Sequence, residues 1–159
     1  MGNRAVIGWQ DKDGKFSEDS VGVYLHWNGG RDSVEAFLAY CEMMGFRSPT
    51  FDNQYGIARF VQVVANWFGD DGLSIGVDKI TNLDVDNWDN GLYICKDWRI
   101  VDRKYAHGEQ LEYSLIQFVH DLNKKQPEGM QKSEEELDAL IDAYFDKYGE
   151  AMRRNSKAA

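Results

Sequence analysis

The stretch 22–35 most narrows what this chain can fold into. Val23, Leu25 and Trp27 alternate with Tyr24 and His26, the period of a strand with one face on a core. Asn28, Gly29 and Gly30 then stop the strand, because adjacent glycines permit positive φ and close backbone approach. Asp32 follows as the expected helix cap. Glu35 stands three residues later, the spacing at which a carboxylate reaches back in a capping box. The module is strand, tight glycine turn, capped helix.

The rest of the chain extends this module to the order β-β-α-α-β-β-β-α-α. Residues 5–9 form a first strand, and Asp13–Gly14 turns it back antiparallel to residues 21–27. The first helix is expected over 33–44, with Val34, Phe37, Leu38 and Cys41 on one face. Residues 55–68 form a second helix with so little polar surface that a central position is expected. Leu73, Ile75 and Val77 alternate as a third strand. Residues 91–95 and 98–101 form a hairpin across Lys96–Asp97. A third helix is expected over 109–124 on a stripe of Leu111, Leu115, Phe118 and Leu122. A fourth follows over about 133–152, capped by Ser133 with Glu136, and the tail beyond frays.

Two hairpin-like groups of strands without repeated βαβ units predict an α+β fold. A small, mostly antiparallel sheet is packed on one side by about four helices, in one compact domain over residues 1–159. The fourth helix closes the monomer's own core in this reading. Its Tyr144, Phe145 and Tyr148 face also suits a homodimer, which is the alternative.

Charge bounds the partners. The net charge of −9 disfavours direct nucleic-acid binding, since that affinity comes largely from clustered Lys and Arg. The same charge suits a protein that occupies a basic surface on another protein. Cys41 and Cys95 read as buried free thiols, not a secreted disulfide scaffold. No signal peptide pattern and no membrane-length apolar run is seen, so a cytoplasmic protein is expected.

No motif selects a catalytic residue, a metal site or a cofactor. His26, His107 and His120 lack metal-ligand spacing. Read as an EF-hand from Asp84, the chain places Trp88 at position 5, Asp89 at the glycine position and Cys95 at the terminal glutamate position. Two patches remain. One is a ligand-binding turn of His26, Asn28, Gly29, Gly30 and Arg31, where helix N–H groups favour an anion. The other is an acidic protein-interaction surface of Asp70, Asp71, Asp84, Asp86 and Asp89, with Trp88 as its apolar anchor.

Residues 25–35, with Tyr55–Gly56 and residues 89–94, resemble a family of small uncharacterised proteins carried by phages and mobile elements of Gram-positive bacteria. The similarity spans roughly the first two thirds of the chain. It implies an accessory or host-defence-countering role and brings no activity with it. The leading expectation is a non-enzymatic module that binds a protein, including a basic host nucleic-acid-binding protein whose site it blocks. A small-ligand protein or enzyme centred on the Asn28–Gly30 turn, and a structural homo-oligomer, are the competing readings.

Overall fold

The computed structural model describes residues 2–69, 74–108 and 111–149. Its elements run β1 (Ala5–Trp9), β2 (Val21–Leu25), α1 (Arg31–Met43), α2 (Asn53–Phe68), β3 (Ile75–Lys79), β4 (Leu92–Lys96), β5 (Arg99–Lys104), α3 (Leu115–Lys125) and α4 (Glu134–Tyr148). The strands form one sheet in the order β3-β2-β1-β4-β5. Pairing is antiparallel except between β1 and β4, which run parallel and join the two hairpin groups. The fold is α+β with a mostly antiparallel sheet, as the element pattern implied.

Alternation sorts the strand residues between two faces. Ala5, Ile7, Trp9, Val23, Leu25, Tyr93 and Cys95 enter the main core, where all four helices contribute side chains, among them Phe37, Phe60, Phe118 and Phe145. Val6, Leu92 and Ile94 point the other way. There they meet Ile80, with Phe16, Tyr24, Leu83 and Val85 around them. The β3–β4 connection therefore covers the face that the helices leave open. This explains why β1 is buried along its whole length.

Phe60 centres the aromatic packing. It meets Trp9 edge-on at 5.3 Å and lies 6.4 Å from both Phe37 and Trp98. Burial of a side chain of this size contributes roughly 1.5–3 kcal/mol. Cys41 and Cys95 are free and buried, and burial pushes both thiols up. α4 buries Leu137, Ile141, Tyr144 and Phe145 in the same core. Its capping box is present, with the Ser133 hydroxyl accepting from the Glu136 amide and Glu136 accepting from the Ser133 amide.

Several local expectations change. β2 stops at Leu25, and Trp27 is 47% exposed instead of core-facing, because Asn28 already turns the chain at φ 57. α1 begins at Arg31 with Gly30 as its cap and no side-chain cap bond. Glu35 pairs with Arg31 at 2.9 Å instead of completing a capping box. α3 starts only at Leu115 because the Glu112 and Tyr113 amides donate to Asp32, leaving Leu111 exposed. α2 is not central. Tyr55, Ala58 and Arg59 are exposed, since the sheet ends at β3 and one flank of the helix overhangs open space. The expected β3 residue Leu73, the expected α3 residue Glu109 and residues 150–152 of the fourth helix lie outside the described residues.

Candidate functional site

Both sequence patches that fall within the described residues meet at one end of the sheet. The joint is Asn3, just ahead of β1. Its carbonyl accepts from the Gly29 amide at 2.9 Å, and its side-chain oxygen accepts from Asn90 at 2.8 Å. Asp70 and Asp71 lie outside the described residues.

The glycine turn is held from within the chain. The Tyr93 hydroxyl donates to the Gly29 carbonyl at 2.8 Å, and a Cβ at Gly29 would collide with the Asn3 carbonyl and Ala5. Asn28 donates to Ser33 at 3.3 Å, and the Gly30 carbonyl accepts from Val34. Asp32, 6% exposed, supplies its own anion at this helix end. Its carboxylate accepts from the Ser33, Glu112 and Tyr113 amides. His26 turns instead toward Tyr24, 3.0 Å from its hydroxyl, and stands edge-on to Trp27. Arg31 lines a crevice of about 50 Å3 with Glu35, Arg99 and Tyr144.

The acidic loop, residues 84–91, is built around the buried side chain of Asn87. That amide donates to the Asp84 and Gly91 carbonyls at 2.9 and 3.3 Å. Its oxygen accepts from the Asp89 and Gly91 amides at 3.2 and 3.0 Å. Gly91 sits at φ 70, and a Cβ there would run into the backbone of Lys104 and Tyr105. Asp89 accepts from the Arg4 amide at 3.1 Å and from its guanidinium at 2.8 Å. Asp84 stands 3.9 Å from the same guanidinium. Burial pushes the Asp89 carboxyl up, but the hydrogen bonds from Arg4 outweigh it and hold the group below its ordinary value.

Trp88 projects from this scaffold at φ 63, 72% exposed. Holding a bulky residue in that region costs ~1–3 kcal/mol, which the surrounding structure must outweigh. One face of the indole stacks on His107 at 4.6 Å. His107 is itself fixed, with its amide on the Asp89 carbonyl at 3.1 Å and its ring 3.2 Å from Asp86. Asp84 and Asp86 remain more than half exposed. The result is a braced indole flanked by two solvated carboxylates.

A cation at the acidic loop would compete with Arg4 for Asp84 and Asp89, and with His107 for Asp86. Among the described residues, no group of three His, Cys, Asp or Glu side chains could hold a metal ion. None of the described helices is long and apolar enough to cross a membrane. Sequence reading missed Asn3, Arg4, Asn87 and His107 as the supports of the surface. Its one available signal was Arg4, a base standing alone before a strand in an acidic chain. Comparison with protein-family models, curated proteins and solved structures finds no match to this chain.

Proposed function

We propose that this protein is a non-enzymatic interaction module and that its contact surface is the sheet end bearing the 84–91 loop. The observation that carries the reading is Trp88. The chain holds an indole in an unfavourable backbone region, braces one face on His107 and leaves most of it in water. The exposed Asp84 and Asp86 carboxylates beside it, on a chain of net charge −9, select a basic partner. An arginine or lysine side chain fits this chemistry, cation against indole and carboxylate together. The resemblance to mobile-element proteins makes a basic host nucleic-acid-binding protein the favoured partner class, and blocking its nucleic-acid site the favoured role.

The test is capture of partners on the tagged protein from a Gram-positive host lysate, at low and high salt, identified by mass spectrometry. One basic protein should be recovered, weakened by salt, and lost with Trp88→Ala and with Asp84→Lys/Asp86→Lys. Recovery that ignores both salt and these substitutions would remove the acidic loop from the contact.

A further inference from the structure

The sheet ends at β3, and this edge carries a second surface independent of the acidic loop. Among the described residues, nothing pairs with the outer side of β3. The β2 register fixes which backbone groups face outward. His26 donates to the Ser74 carbonyl and Ile80 donates to the Ser20 carbonyl, at 2.9 Å each. Ser74, Gly76, Asp78 and Ile80 therefore turn their main-chain groups toward β2. Ile75, Val77 and Lys79 turn theirs away. The Lys79 amide donates to the Asp78 side chain at 2.7 Å.

The same three residues point their side chains to the helix face of the sheet. There the overhanging flank of α2 forms a groove of about 550 Å3, with Val21, Val77, Ile57, Ala58 and Val61 as its apolar wall. Among the described residues, no charged side chain lines it. Val77 is 52% exposed at its margin. An unpaired strand edge beside an apolar groove is a template for another strand. The centre of β3, Ile75–Gly76–Val77, has none of the charges, prolines or bulges that commonly block such pairing.

We infer that a second copy of this chain occupies the edge, with β3 pairing antiparallel to β3 about a two-fold axis at Val77. The outward groups are symmetric about that residue. Val77 meets Val77 of the second copy and exchanges both main-chain hydrogen bonds with it. Each Ile75 amide reaches the Lys79 carbonyl of the other copy. Asp78 falls opposite Gly76 and Lys79 opposite Ile75, so no like charges face one another. Ile75 and Val77 of the second copy lie on the open side of the groove and extend its apolar wall. The sheet becomes continuous across both copies, with the two α2 helices on one face.

Two chains of −9 repel each other, so salt tightens this dimer while it weakens capture of a basic partner. Sedimentation equilibrium of the full chain, over a hundredfold concentration range at about 0.05 and about 0.5 M salt, reads both terms. A monomer–dimer equilibrium that tightens with salt is expected. Val77→Lys and Val77→Asp each place like charges face to face at the axis, and each should raise the dissociation constant at least about tenfold. Circular dichroism should stay unchanged, since the side chain is half exposed. Mixing the two variants should restore a dimer, because the axis then pairs Lys with Asp. A monomer at every concentration, a dimer indifferent to both substitutions, or a mixture that fails to reassociate overturns the proposal.

Discussion

Asp89 shows how one carboxylate serves a surface without belonging to it. Its side chain is 6% exposed and receives two hydrogen bonds from Arg4. Asp89→Asn keeps the shape and removes the charge, leaving the Arg4 guanidinium poorly matched and the fold less stable than the parent at neutral pH. Its folded-state carboxyl lies below its ordinary value, so the stabilisation is complete above the unfolded-state value, about 3.9. It is lost as pH falls through the lower, folded-state value. Urea titrations should therefore show the largest gap between Asp89→Asn and the parent near neutral pH, closing below about pH 4. A gap that persists in acid would assign the loss to packing. Trp88→Ala should do the opposite of Asp89→Asn. It removes an exposed side chain from a strained backbone position, so stability should stay within about 0.5 kcal/mol while partner capture disappears. The sequence offered both residues as parts of one acidic interaction surface, with Trp88 as its apolar anchor; the burial of Asp89 against Arg4 was not legible there. Their division into a buried support and an exposed contact depends on Arg4 and His107, which lie 85 and 19 positions away along the chain.

The elements were legible where a local period carried them. Leu137, Ile141, Tyr144 and Phe145 bury one face of α4, and the Ser133–Glu136 box closes it. Both interactions are made within a few residues. Ser133→Ala should accordingly cost about 0.5–2 kcal/mol, read by thermal or urea unfolding. Asp32 presents the same local signature and does something else. Its carboxylate reaches across the fold to the Glu112 and Tyr113 amides, so α1 is capped by Gly30 and α3 starts late. A capping pattern cannot announce an acceptor's distant donors, and the same bonds displaced two helix boundaries. Asp32→Ala should leave amide protection inside α1 nearly intact while Glu112 and Tyr113 exchange faster by hydrogen–deuterium exchange. Fraying of the first turn of α1 with no change at these two amides would make Asp32 an ordinary cap.

At the scale of the whole molecule, two hairpins were visible and their joining was not. The parallel β1–β4 pair depends on the crossover through residues 80–91, where Leu83 and Val85 read from sequence as embedded in a polar loop over 82–91 and pack instead with Ile80 against the sheet. That crossover packs Ile80, Leu83 and Val85 into the second core cluster and then turns outward to carry Trp88, Asp84 and Asp86, so the proposed contact surface is rooted in a structural layer of the fold. Charge and stability can for this reason be altered separately. Asp84→Lys/Asp86→Lys raises the net charge by four units and replaces two side chains that are each more than half exposed. Their pairs with Arg4 and His107 are solvated, so the unfolding midpoint should move little. Capture of the basic partner should be lost all the same, since the charges that steer the encounter have been reversed. Phe60→Asp supplies the contrast. It places a carboxylate among Trp9, Phe37 and Trp98 and should abolish cooperative unfolding outright. If the double reversal collapsed the fold as Phe60→Asp does, the acidic loop would be a structural strut, and its loss of binding would say nothing about contact.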